Sequence, residues 1–305
     1  MQFQRDILID KIYEMALKDK DIYFLSADFG APALDRFREN LPEQFIHAGI
    51  SEQNMIDVAA GMALSGKKIY VYAMGPFITL RCLEQLKCSL AQMNLPVTVI
   101  SVGLGLGYAD AGPTHYITED LACLRSIVNF EVYTPSDIST VVELAELTNR
   151  KPALRVLRLD RNAVEDLYGQ GVSVDTGFAE LKKGDRVGIF SCGYILQRIL
   201  KNWDDVTNGM DLGLVDVFRN KPLNIEGLKP IFEKYEKIIT VEEQCLSGGF
   251  GSSILEAISD LDMVNSVKRL GLEERYYFEN GGREYLLDTF GLSNQKLRET
   301  ILSIS

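Results

Sequence analysis

The sequence predicts an α/β protein built as two doubly wound domains, each with a mostly parallel sheet and the second smaller than the first. Three observations carry this. Short runs rich in Val, Ile, Tyr and Phe alternate with longer amphipathic stretches, the pattern of right-handed βαβ crossovers covered on both faces. The alternation lapses once, in a polar, Gly-containing stretch over 162–183, and then resumes. The length of 305 residues, with 46% hydrophobic and 25% charged residues, suits about two globular domains and excludes disordered or collagen-like chains.

In the first domain the strand signals fall at 22–27, 69–74, 97–102, 130–134 and 154–159. Helical periodicity, with apolar residues recurring at three and four, falls at 4–18, 52–65, 80–93, 119–128 and 137–149. Ser51 and Ser136 stand at N-cap positions. The second alternation places strands at 187–192, 212–218, 237–242 and 266–270, and helices at 195–203, 225–235, 251–258, 284–290 and 294–303.

A formal charge of −11 disfavours nucleic acid and anionic membrane as partners and leaves small molecules and proteins. The five cysteines, at 82, 88, 123, 192 and 245, form no CxxC pair and no zinc spacing, which fits reduced thiols. Residues 1–6 show no signal-peptide pattern, and no apolar run reaches the ~20 residues that span a bilayer. A cytoplasmic location is expected.

Three segments could carry chemistry. The first runs from His47 through Ser51, Glu52 and Gln53 into a helix with Ala59, Ala60, Gly61 and Ala63. An acidic residue in a first turn is favourable on dipole grounds alone, so Glu52 has a plain structural reading beside a functional one. The small residues suggest a face that another backbone can approach, which would set Glu52 near a subunit interface. The second segment, 103–115, has glycines at 103, 105, 107 and 112 and follows a strand. Its spacing is not GxGxxG, yet the loop after a parallel strand is where such folds place ligands. It ends on His115, one of two histidines, which reads either as a loop histidine with satisfied hydrogen bonds or as a catalytic one. The third segment, 242–252, reads as a tight strand-to-helix turn before it reads as an anion cradle, because no Lys follows at P-loop spacing.

Gly49-Ile50-Ser51-Glu52-Gln53-Asn54-Met55, Gly112-Pro113-Thr114-His115, Tyr133-Thr134-Pro135-Ser136-Asp137 and Thr240-Val241-Glu242-Glu243 with Gly248-Gly249 together resemble the carboxyl-terminal half of transketolase-type thiamine diphosphate enzymes. The resemblance covers essentially the whole chain, in order. It implies a thiamine-pyrimidine-binding domain over 1–161, a linker over 162–183 and a smaller transketolase C-terminal domain over 184–305. The family's diphosphate-binding domain, with its GDG motif and later Asn for a divalent metal, has no counterpart, since Gly184-Asp185 is followed by Arg186. The chain thus resembles one half of a split enzyme. A separate diphosphate-binding partner would hold the Mg2+ or Ca2+, in an α2β2 assembly, and this chain would contribute no metal ligand.

The same resemblance assigns residues. Glu52 would hydrogen-bond N1′ of the aminopyrimidine and favour the imino tautomer that acts as internal base on thiazolium C2. Asp28, Phe29 and Gln53 would also lie against the cofactor, and His115 would meet the donor hydroxyl. Arg161 and Arg5 match phosphate-binding arginines. Departures are equally informative. Gly75 stands where the family stacks an aromatic ring on the pyrimidine, and Phe77 is read as supplying that ring. Ala111 replaces an acidic residue that reads the sugar hydroxyl, Gly103 a phosphate-binding histidine, and Pro32 a phosphate-binding serine. These losses point to ketol transfer from a ketose to an aldehyde on an atypical sugar: unphosphorylated, modified or nucleotide-linked. The competing readings are the β subunit of a 2-oxoacid dehydrogenase, a deoxyxylulose-phosphate-synthase-like enzyme, and a non-catalytic scaffold subunit.

Overall fold

A computed structural model describes residues 1–27, 30–169 and 172–304. The first sheet has seven strands in the order Arg219–Lys221, Glu131–Tyr133, Arg155–Leu159, Val97–Val102, Lys68–Met74, Ile22–Ser26 and Phe45–His47. All neighbours are parallel except Arg219–Lys221, which runs antiparallel to Glu131–Tyr133. The second sheet runs Ser266–Leu272, Lys237–Cys245, Val187–Ser191, Leu212–Asp216 and Ala179–Lys182, the last antiparallel. Val97–Val102, VTVISV, is buried at every position, as a strand covered by helices on both faces must be.

On one face of the first sheet, helices Gln4–Ala16 and Ile138–Arg150 bury Leu8, Ile9, Ile12, Val141 and Leu144 against Phe24, Tyr72 and Ile100. On the other face lies Glu52–Leu64. Its Ala59, Ala60 and Ala63 are buried in the chain's own core beside Val71 and Val99. Those three alanines are therefore used inside the protomer, where they let the helix sit close to its sheet. The exposed side of that region carries Ile50, Asn54, Val58, Gly61 and Leu64 instead.

Several expectations are revised. The stretch 80–93 is no regular helix: a turn over Gly75–Ile78 ends where the Thr79 hydroxyl donates to the Gly75 carbonyl, and Leu83–Gln85 then opens into a π-helical segment, Leu86–Ala91. The cap near Ser136 is Asp137, whose carboxylate accepts from the Thr140 amide at 2.8 Å. Ser136 is left free to bridge the two halves, donating to Asp216 at 2.8 Å and accepting from the Gly193 amide at 2.7 Å. Ser51 does occupy the N-cap position of Glu52–Leu64, but its hydroxyl caps no amide and donates to the Ala48 carbonyl.

Within 162–183, Ala163–Val164 pairs with Gln2–Phe3, and Ala179–Lys182 forms an edge of the second sheet. Edge strands this short carry too few apolar residues to announce themselves. The core also runs through the junction. One cluster joins Leu121, Leu124 and Val132 to Phe190, Val215, Leu228 and Phe250. No helix among the described residues is long and apolar enough to cross a membrane.

Candidate active site

The candidate residues follow the carboxyl ends of the parallel strands, where open α/β sheets place their ligands. Lys68–Met74 leads into Gly75 and Phe77, Val97–Val102 into the loop ending at His115, and Arg155–Leu159 into Asp160 and Arg161. Phe45–His47 leads by way of Gly49 into Glu52 at the start of its helix.

Glu52 is 4% exposed, with one oxygen accepting from Arg81 Nη1 at 3.0 Å. The Arg81 guanidinium lies 4.2 Å from the centroid of the Phe77 ring. Phe77 in turn meets His115 edge to face, centroids 5.3 Å apart and planes at 75°. His115 Nδ1 is 2.7 Å from the Thr114 hydroxyl, which leaves Nε2 for another partner. Three residues singled out in the sequence, Glu52, Phe77 and His115, are thus one constellation, joined by Arg81. Burial beside Glu52 pushes the Cys82 thiol up to about 12, so it is inert at neutral pH. Gln53 is exposed on the same first turn. Asp28 and Phe29 lie outside the described residues.

Gly75 has no space for an aromatic ring. A Cβ there would stand 3.0 Å from Ile117 and 3.4 Å from the Ser101 hydroxyl. Phe77 places its ring two residues later, against His115.

Arg5 and Arg161 line one cavity of about 670 Å3 together with 106–110 and 281–284. Arg161 donates to the Gly107 carbonyl at 3.3 Å and lies 4.7 Å from the Tyr108 ring centroid. The glycines of the loop answer to close neighbours. A Cβ on Gly103, at φ +91°, would fall on the Tyr108 ring, and one on Gly105, at φ +57°, would meet the Glu243 carboxyl carbon at 2.6 Å. No dinucleotide loop is needed to account for them.

Behind the cavity Arg283 is clamped between two buried carboxylates. It donates to Asp160 at 2.9 and 2.7 Å and to Glu243 at 2.7 and 2.7 Å, and it lies 3.8 Å from the Tyr194 ring centroid. Glu243 also accepts the Leu106 amide at 2.8 Å, which ties the glycine loop to this network. Burial raises the Glu243 carboxyl above its ordinary range, against the opposing pull of Arg283. Next along the strand, Glu242 accepts the Phe250 and Gly251 amides at 2.5 and 2.9 Å. The chain's own carboxylate therefore fills the helix N-terminus that an external anion would need. Burial pushes Glu242 up to about 7, despite those amide donors.

Sequence reasoning did not single out Arg81, Tyr108, Asp160 or Arg283. Arg81 had a signal, the Phe-to-Arg spacing of four. Arg283 had none, because its partners are 123 and 40 residues away.

Comparison with known proteins assigns both domains to one family. The transketolase pyrimidine-binding domain model matches residues 4–166, and the transketolase C-terminal domain model matches residues 178–297. The chain belongs to the transketolase family. Its two domains are those of the carboxyl-terminal half of a transketolase-type transferase. It is 29% identical over 302 residues to the B subunit of apulose-4-phosphate transketolase of Phocaeicola vulgatus, covering 98% of this chain and 96% of that one. It is 30% identical over 301 residues to 1-deoxy-D-xylulose-5-phosphate synthase of Caldanaerobacter subterraneus, where it spans 48% of the relative's length. Among solved structures, a split-gene transketolase described as an inactive β4 tetramer superposes with a TM-score of 0.88 at 24% identity, over 99% of this chain and 98% of that one. Transketolase of Pichia stipitis gives 0.78 at 17% identity, covering 99% of this chain and 45% of that one. Both show the shared fold.

Proposed function

We propose that the chain is the carboxyl-terminal subunit of a two-component, thiamine diphosphate-dependent transketolase-like enzyme. It works with a separate diphosphate-binding subunit to move a two-carbon ketol unit from a ketose donor to an aldehyde acceptor. The observation that carries this reading is the buried Glu52 carboxylate facing, across a flat guanidinium, the Phe77 ring packed on His115. A slot that accepts a planar nitrogen-rich cation between a carboxylate and an aromatic ring fits an aminopyrimidine.

When bound, thiamine diphosphate supplies a nucleophilic thiazolium C2 that accepts and passes on the ketol unit. The chain's own residues do the rest. Glu52 exchanges a proton with pyrimidine N1′, a role that needs a carboxyl group held out of water. Phe77 provides the apolar wall in place of the ring that Gly75 cannot carry, and Gln53 borders the cofactor. His115 Nε2 hydrogen-bonds the donor hydroxyl. Arg5 and Arg161, on one cavity, meet the anionic end of the sugar, and Tyr108 fills the space that opens at Gly103. The Phocaeicola relative, named for apulose 4-phosphate, supports an atypical phosphorylated substrate. The divalent metal and the diphosphate belong to the partner, in an α2β2 assembly.

The test is to reconstitute the chain with a diphosphate-binding partner and assay ketol transfer to a panel of aldehydes. Glu52→Gln should abolish turnover while leaving assembly intact, and undiminished turnover would overturn the assignment. Release of carbon dioxide from a 2-oxoacid donor would move the reading to the synthase branch.

A further inference from the structure

Arg81 is the one member of the constellation that no part of the proposed chemistry uses, yet it holds the middle of it. Its guanidinium satisfies two surfaces at once, donating to the Glu52 carboxylate at 3.0 Å and resting 4.2 Å from the Phe77 ring centroid. Those are the two surfaces that an aminopyrimidine must occupy, one for a hydrogen bond to Glu52 and one for a flat apolar contact. A guanidinium and an aminopyrimidine share the relevant chemistry: both are planar, both bear N–H groups in the plane, and both stack on aromatic faces. One slot cannot hold both.

We propose that Arg81 is a displaceable latch on the cofactor site, occupying the place of the aminopyrimidine until the cofactor enters. The inference rests on the function proposed above. Two features of the structure make displacement feasible. The Arg81 side chain is 41% exposed, so it can swing into solvent with little desolvation cost to recover. The Glu52 carboxylate, at 4% exposure, cannot follow it, because it is fixed on the first turn of Glu52–Leu64. The latch therefore shields a buried carboxylate in the cofactor-free chain, where an uncompensated charge would be costly, and yields it to a better-fitting partner. The Phe77 ring, held against His115, stays in place for either occupant.

The consequence is a competition that can be read without turnover. Removing the latch should tighten cofactor binding by about tenfold, the scale of one partly exposed ion pair with its ring contact. The experiment measures thiamine diphosphate binding by calorimetry, and its association rate by stopped-flow fluorescence, for the reconstituted wild-type and Arg81→Ala complexes. The isolated Arg81→Ala chain is titrated in parallel with methylguanidinium, observed by saturation-transfer NMR, with Arg81→Ala/Glu52→Gln as control. The latch predicts faster and tighter cofactor binding in Arg81→Ala. It also predicts that methylguanidinium binds the Arg81→Ala chain but neither the wild type nor the double variant. Equal or weaker cofactor binding in Arg81→Ala would overturn the latch and make Arg81 a positioning residue for Glu52. Absence of methylguanidinium binding to the Arg81→Ala chain would overturn it as well. Failure of both complexes to retain the cofactor would sink the functional reading itself, and the latch with it.

Discussion

Arg283→Ala should be among the most damaging single substitutions in the chain. The guanidinium makes paired hydrogen bonds to both Asp160 and Glu243, and all three side chains are nearly or fully buried. Alanine removes the cation that sits between two carboxylates on different domains, and leaves a void under the Tyr194 ring. Losing one partner of a buried ionic cluster costs about 3–5 kcal/mol. For a chain of this size that lowers the melting temperature by on the order of 5–10 °C. The penalty should depend on pH with a definite sign. Without Arg283, burial acts unopposed, and at least one carboxyl of the folded variant binds a proton that the unfolded chain releases. Folding then becomes less favourable as pH rises, so the deficit relative to wild type should be larger at pH 8 than at pH 5. The assay is calorimetric melting of both proteins at the two pH values. Arg283→Met serves as a volume control, and Arg283→Met/Asp160→Asn/Glu243→Gln as a neutralised triple variant that should recover most of the loss. A deficit below about 1 kcal/mol, or one that does not change with pH, would refute the reasoning.

Two further outcomes are expected. Burial pushes Asp216 up to about 7 although Ser136 and Tyr168 both donate to it, so its folded pKa lies above its unfolded value and it withdraws stability as pH rises from about 4 to 7. Asp216→Asn should flatten that part of the denaturation-midpoint profile, and parallel profiles would contradict the account. Gly75→Phe should destabilise by about 1–3 kcal/mol through overpacking against Ile117 and Ser101, measured by urea unfolding. A neutral effect would show that the slot has room for a second ring after all.

What the sequence made visible follows from which signals are local. Val97–Val102 and Lys68–Met74 are apolar enough to read directly, and because ligands gather at the carboxyl ends of such strands, the loop ending at His115 was legible too, whereas Phe77 and Arg161 were reached only through the family resemblance. Phe45–His47 and Arg219–Lys221 were not legible, since three-residue edge strands have no periodicity to detect. The alanines after Glu52 were seen as small, but composition cannot say which neighbour approaches them, and the neighbour is the chain's own sheet. The 80–93 stretch has helical periodicity, yet it winds partly as a π segment, because tertiary packing overrides local preference there. The Arg283 cluster joins three distant points of the chain and so leaves no mark in any window.

The strand Arg219–Lys221 belongs by sequence to the second domain and by hydrogen bonding to the first sheet. A chain severed between the domains would lose more than a neighbour. The first half would expose the backbone donors and acceptors of Glu131–Tyr133 along a bare flank, an invitation to self-association, and the second half would trail an unpaired ribbon. The two domains are laced rather than merely adjacent, which gives a mechanical reason for them to be inherited on one polypeptide.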